Sequence, residues 1–478
     1  MDFNEIFNLN IPFVQAEIAK TISTTGTVEQ PYVCLLIGQK LSAGTVPSDA
    51  IYDIFSANEA KTKFGANSML AKAVSGYFEN NKSVRLKVLP LDDLTGGVKA
   101  TGTLTITGTA TSSGTFSFYV DGKVYRVPVS VGDTNINVVA SLDSVLSADT
   151  EALFTTSVTT NVITLSCVHK GTFGNTIKMM MNYNSDEITP AGLTAAIVNF
   201  SGGSGDPDLT TFVIPHLEEN QYNLIAQPYY DNTNLLLISE ALTDNFKATE
   251  MLDGFCLLGY EDTVTNLTTK ANAINSPFIT ILDTANAFIN GFEFAARNMG
   301  YIADIAQSDP GAGYLNKTVV GVLALPQRIR TERNVLAGAG IATFKTNSSA
   351  VINEKTVTTY VKDAQGITDD AFKELRVMLT LSYVRYSFVV KMSQFQNFKV
   401  GNNDDIYGAG VRVMTPKLYG ENLTFVYEQL VRDAVCENLA LFESTLITEK
   451  DGNRINSSFE IDIINVLEQQ AMKINFQV

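Results

Sequence analysis

Tryptophan is absent from the 478 residues, and there are only two histidines and four cysteines. Histidine most often carries general acid–base chemistry near neutral pH, so little is available for it. His169 and His216 have no cysteine or second histidine at ligand spacing, and both read as packed or surface side chains. Cys34, Cys167, Cys256 and Cys436 lie far apart and form no CxxC. They read as reduced, buried cytosolic thiols, neither a disulfide framework nor a metal site. No apolar run approaches the ~20 residues that cross a bilayer, so no membrane insertion is expected. The acidic start, Met1-Asp-Phe-Asn-Glu-Ile6, predicts no secretory signal. Positive charge is scarce too: 34 Lys and Arg face 50 Asp and Glu, a net charge of −16. That balance argues against a nucleic-acid or anionic-membrane partner.

Motifs for chemistry are equally scarce. There is no GxxxxGK[ST] and no GxSxG. Gly338-Ala-Gly-Ile-Ala-Thr343 has two glycines of a dinucleotide fingerprint without the third and reads as a turn. The adjacent carboxylates Asp92-Asp93, Glu218-Glu219, Asp369-Asp370 and Asp404-Asp405 read as solvated, because neighbours on a helix do not face each other. No catalytic residue, metal or cofactor is expected.

What is present is a globular chain with 45% hydrophobic residues, too long for one core. Residues 1–28 read as an arm and linker, with Leu9, Ile11 and Phe13 alternating against polar neighbours. Residues 29–96 carry a strand at Tyr32–Ile37, helices at Ala57–Phe64 and Ser68–Glu79, and a strand at Val84–Leu89. From 97 to 200 Thr, Ser, Val and Gly dominate. Short alternating strands surround one helix that Asp133 or Thr134 can cap, and Asp121-Gly122 marks a tight hairpin. Turn-rich flanks suggest that this β-rich segment is inserted into another domain. From 201 to 325 strands and helices alternate, which argues for a mostly parallel sheet that the two earlier strands complete. A strand is expected at Thr318–Leu323. Residues 326–470 read as a mixed domain. Helices are expected at Asp369–Tyr386 and Asn422–Phe442, and a polar turn at Thr448–Asn456. The fold class is therefore α/β and α+β multidomain.

Residues 471–478 alternate. Met472, Ile474, Phe476 and Val478 point one way, Lys473, Asn475 and Gln477 the other, as in a strand with one buried face. An apolar strand at the chain end needs a sheet to join, either its own or a neighbour's. Arg328, Arg330 and Arg333 form the densest basic cluster. They read as a salt-bridged turn or as a docking patch for an acidic surface.

Several stretches together resemble the Mu-like family of phage contractile tail sheath proteins. They are Ala100-Thr-Gly-Thr-Leu-Thr-Ile-Thr-Gly-Thr-Ala110, Gly171-Thr-Phe-Gly-Asn175, Ala226-Gln-Pro-Tyr-Tyr-Asp231, Gly321-Val-Leu-Ala-Leu-Pro326 and Glu332–Thr343. Thr356-Val-Thr-Thr-Tyr360 followed by Gly366-Ile-Thr-Asp-Asp370 is the most specific, and Asn453-Arg454 before a final helix and strand also fits. Ser308-Asp-Pro-Gly-Ala-Gly-Tyr314 keeps the family's Asp-Pro and loses its Arg-Pro. The resemblance implies a non-enzymatic homo-oligomer of hexameric rings stacked around a tail tube protein, capped by baseplate and tail terminator proteins. It implies contraction that drives the tube through the host envelope, a place in the virion after assembly in the host cytoplasm, and an inserted domain lying outward. Terminal arms would exchange strands between subunits, which favours a neighbour's sheet for Met472–Val478 and for Leu9, Ile11 and Phe13. A bacteriocin or secretion-system sheath is the alternative. An enzyme on the α/β domain is the remaining one.

Overall fold

The structure, a computed structural model, describes residues 29–408 and 410–477. Leu9, Ile11, Phe13 and Val478 lie outside the described residues. Chain contacts divide the rest into a larger unit, 29–386 with 463–478, and a smaller unit that includes 387–462.

The larger unit begins with β1 (Val33–Gln39), β2 (Tyr52–Ile54), α1 (Ala57–Phe64), α2 (Met69–Asn80) and β3 (Arg85–Leu91). The next elements are β4 (Lys99–Gly108), β5 (Gly114–Val120), β6 (Lys123–Val129), α3 (Asn135–Ser147), β7 (Phe154–Thr159), β8 (Val162–Lys170), β9 (Met179–Met181) and β10 (Leu193–Ser201). Then come α4 (Leu209–Phe212), α5 (Ile214–Glu219), β11 (Leu224–Ala226), α6 (Asn232–Asn245), β12 (Phe255–Tyr260), α7 (Val264–Ile274), β13 (Ile279–Asp283) and α8 (Gly291–Ser308). Finally α9 (Arg330–Gly338), β14 (Ile341–Asn347), β15 (Ala350–Lys355) and α10 (Leu375–Ser393) follow, the last running on into the smaller unit.

Helix starts follow from their caps. Ser56, Ser68, Thr134, Asp231, Thr263 and Asn290 each accept a backbone N–H from the first turn, satisfying a donor that the helix itself leaves open. The central sheet has the order β15-β14-β13-β12-β11-β1-β3-β2. Its pairs from β3 to β14 are parallel, and only the outermost pairs, β2–β3 and β14–β15, are antiparallel. The inner strands are buried along almost their whole length, as a parallel sheet covered on both faces requires. Helix α8 crosses β12 where Gly259 and Gly291 meet; a Cβ on either would sit about 2 Å from the other's carbonyl oxygen.

The segment between β3 and β11 folds as two antiparallel sheets, β10-β4-β8-β7 and β6-β5-β9. It leaves and rejoins the core at one place. Val98 and Ser204 exchange backbone hydrogen bonds of 2.8 and 3.2 Å. The β5–β6 turn places Asp121 and Gly122 at φ 49° and 78°, the left-handed conformation of a tight hairpin.

In the smaller unit a helix spans Pro416–Arg432, N-capped by Thr415. A short helix spans Leu439–Thr445, and strands Ile447–Asp451 and Arg454–Ser458 form a hairpin. Phe442 stacks on Tyr427 at 4.3 Å and packs against Phe388 and Phe459.

Four local expectations are corrected. Thr318–Leu323 is no strand: Thr318 bridges to Ile352 and Val319 bonds to Val351, but Val320 turns to Asn80 and Arg297 and Leu323 accepts from Phe288 N. The Asp369–Tyr386 helix starts six residues later, at Leu375, because Asp369 accepts from Ala371 N and from the Tyr360 hydroxyl in a turn. The Asn422–Phe442 helix breaks where Ala434 and Asn438 turn left-handed. Thr448–Asn456 belongs to the hairpin rather than to a turn region. Residues 464–477 carry no regular element.

Candidate assembly interface

The crevice beyond the carboxyl ends of a parallel sheet, where strand order reverses, is the usual ligand site of such folds. Here that reversal lies at β1, which has β3 on one side and β11 on the other. The inserted segment occupies the place. Gln39, at the end of β1, donates to Asp93 Oδ1 at 2.7 Å and to the Lys170 carbonyl at 3.0 Å. Gln39, Gln227 and Tyr229 are fully buried there. Lys178 donates to the carbonyls of Thr284 and Ala287 at 2.7 and 2.8 Å. The Tyr183 hydroxyl donates to Ala324 O, and its ring stacks on Phe288.

Two helix N-termini that face this region are filled by side chains of the insert. At α2, the Met69 N–H donates to His169 Nε2 at 3.0 Å. His169 Nδ1 therefore carries the ring proton, directed at Asp93 Oδ1 3.0 Å away. Burial holds the imidazole below its ordinary pKa. Burial works to raise the Asp93 carboxyl, and the bonds from His169, the Lys170 N–H and Gln39 together outweigh it, so the carboxyl lies below its ordinary pKa. A His–Asp pair is the framework of a general base, but here the second nitrogen is spent on a backbone amide and the ring is fully buried. The pair fastens β8 to α2. At α8, the Asp121 carboxyl accepts from the side-chain amide of the cap Asn290. Among the described residues no cluster of three metal-ligating side chains occurs, and all four cysteines are free and buried.

The residues marked for assembly are placed as follows. The Arg376 guanidinium donates to Ile464 O at 3.0 Å. Val466 lies over Gly313, where a Cβ would come within 2.7 Å of its methyl group. Glu468 pairs with Lys355 at 2.5 Å, and Lys355 also holds Glu374. These contacts root the tail on the larger unit. Past that root the chain is open to solvent: Met472, Ile474 and Phe476 are 84%, 85% and 83% exposed. A polar groove of about 940 Å³ runs beside the root, with Arg330, Lys345, Lys373 and Asp370 on its walls.

The arginines of the basic cluster do not act as one patch. Arg328 grips Asp283 through Nε and Nη2 at 2.8 and 3.2 Å and donates to Asp262 O. Arg333 grips Glu354 at 2.7 and 3.2 Å and donates to Arg328 O. Arg330 alone of the three is exposed. Sequence reasoning missed the tail anchors Lys355, Arg376 and Gly313, which carry no local signal. It also missed the partners of His169, which lie 76 and 100 residues away.

No protein-family model matches this chain. It is 31% identical over 485 residues to the Mu-like prophage FluMu tail sheath protein of Haemophilus influenzae, covering 100% of this chain and 99% of that one. Two solved structures share the fold. A sheath tail protein of Desulfitobacterium hafniense superposes with a TM-score of 0.50 at 13% identity, over 95% of this chain and 96% of that one. A chain of the contracted anti-feeding prophage baseplate superposes with a TM-score of 0.50 at 10% identity, over 98% and 99%. With identity at this level along its full length, the chain belongs to the Mu-like tail sheath protein family.

Proposed function

We propose that this tail sheath protein is a non-enzymatic subunit that stacks as hexameric rings around a tail tube. Contraction of the stack drives the tube through the host envelope. Its terminal tail adds as a strand to the sheet of a neighbouring subunit. The observation that carries this reading is the tail itself: a root fixed by Lys355, Arg376 and Gly313, then three large apolar side chains in alternation, each more than four-fifths exposed. A monomer gains nothing from such exposure; a strand awaiting a partner sheet does.

The Ile447–Ser458 hairpin supplies the acceptor. No strand among the described residues pairs with either of its outer edges. An isolated two-stranded hairpin is marginal in water, and further strands stabilise it. Burying Met472, Ile474 and Phe476 contributes roughly 5–9 kcal/mol, while ordering the strand's backbone costs roughly 7–14 kcal/mol. One arm is thus insufficient alone. In a ring, the other contacts raise the effective concentration and make the exchange favourable. The N-terminal arm with Leu9, Ile11 and Phe13 would act alongside it. Arg330, exposed at the groove, is the member of the basic cluster best placed to meet an acidic neighbour or the tube.

The test removes residues 472–478, or replaces Ile474 and Phe476 with Asp. A folded, soluble monomer that forms no cylinders under the electron microscope is the expected outcome. Normal cylinders would rule out the tail as connector, and an unfolded chain would place the strand within its own subunit. The likeness to a chain of the anti-feeding prophage baseplate favours one second reading, a sheath of a related injection device. The genes beside this one separate the two.

A further inference from the structure

Asp121 stands at the tip of the β5–β6 hairpin, pressed against the N-terminus of α8. Its Oδ2 accepts from Asn290 Nδ2 at 2.8 Å. The same Nδ2 reaches Glu293 Oε2 at 3.5 Å, so one amide group sits between two carboxylates. Asp121 Oδ1 is buried and has no hydrogen-bond partner. Glu293 is buried too and is already committed, through Oε1, to Arg297 Nε and Nη2. That guanidinium also holds Glu79, which leaves it no surplus charge for Asp121. Backbone closes the site from the other side: a Cβ at Gly122 would come within 2.8 Å of Phe288 O. Two desolvated carboxylates in one site cannot both stay ionised, and an orphaned carboxylate oxygen is costly unless it carries a proton.

We propose that the inserted domain is latched to the core by a single proton: the Asp121 turn docks with its carboxyl neutral beside Glu293, and ionisation releases the hairpin tip.

Burial first, and Glu293 second, push the Asp121 carboxyl up to about 7, while Asn290 and the half-buried Lys72 of α2 pull it down. Tyr125 and Cys167 also lie within reach of its charge, and both are pushed up by burial; neither supplies a cation. Once undocked, Asp121 returns to the ordinary value near 4. The docked form therefore holds more protons between about pH 4 and pH 7, and docking weakens as the pH rises through that window. At the other contact His169 has the opposite sign, so the two must be read separately.

The experiment is hydrogen exchange by mass spectrometry on the full chain from pH 5 to pH 8, with rates corrected for intrinsic chemistry. The peptide covering residues 114–129 should open at least roughly tenfold more often at pH 8 than at pH 5. In Asp121→Asn, whose amide donates at every pH, opening should stay at the low-pH level throughout. Glu293→Gln removes the repulsion and should shrink the rise. A flat wild-type profile would overturn the latch. So would an unchanged profile in Asp121→Asn, or an Asp121→Asn tip that opens more at every pH, which would make the ionised carboxylate the docked form.

Discussion

His169 shows what a single buried ring contributes when both of its nitrogens are engaged. Replacing it with Ala leaves the Met69 N–H without its partner, worth about 1–3 kcal/mol when buried, and leaves Asp93 Oδ1 with Gln39 as its remaining donor. The expected result is a lower urea midpoint. The sign of the pH dependence follows from the depressed pKa of the folded ring. In the unfolded chain the ring binds a proton near pH 6.5, while the folded ring still refuses it. Stability from this residue is complete above that pH and falls as the pH drops below it. The difference in midpoint between wild type and His169→Gln should therefore shrink from pH 7.5 to pH 5.5. For the arginines, Arg328→Gln and Arg333→Gln break half-buried, bidentate pairs, and each should lower folding stability by about 1–3 kcal/mol. Arg330→Gln should leave the melting temperature alone and change only the salt dependence of assembly. The packing of His169 was legible in its lack of companions. Its partners were not, because they come from α2 and from the linker after β3.

At the scale of elements, the helix starts were the readable part. Thr134, one of two cap candidates read ahead of the apolar spacing of α3, is the residue that caps it. The parallel core strands were readable as short apolar runs between helices. The misreadings share one cause: apolar spacing persists where the backbone does not. Val426, Leu430, Ala434 and Leu441 keep helical spacing, yet the chain reverses at Ala434, with φ 54°. An L-residue there costs about 1–2 kcal/mol. Ala434→Gly should accordingly raise the denaturation midpoint by about 0.5–1 kcal/mol equivalent, and a loss of stability would show that the helix break is enforced elsewhere. In the same way Thr318–Leu323 looks like a strand but spreads its bonds over β15, Asn80, Arg297 and Phe288. The tail was legible as alternation. What it is rooted on was not, since Lys355 and Arg376 lie about a hundred residues before it.

Across the whole molecule, the family was legible in a handful of short motifs whose order carries more information than any one of them. The filling of the sheet's ligand crevice by the inserted segment was not legible, since it depends on how separate elements meet. It has an energetic consequence. Removing residues 99–203 and joining Val98 to Ser204 through two glycines should give a folded protein of lower stability, because the N-termini of α2 and α8 lose His169 and Asp121. On the sheath reading the shortened chain should still build cylinders in the electron microscope. Insoluble protein would place the insert within the assembly core. The entry point has a wider meaning. A segment that leaves and rejoins a fold between two hydrogen-bonded residues is attached like a plug in a socket, with its ends about 5 Å apart. Such a plug can be exchanged without rerouting one core strand. The same junction offers an engineered particle a place to carry a foreign domain with adjacent termini.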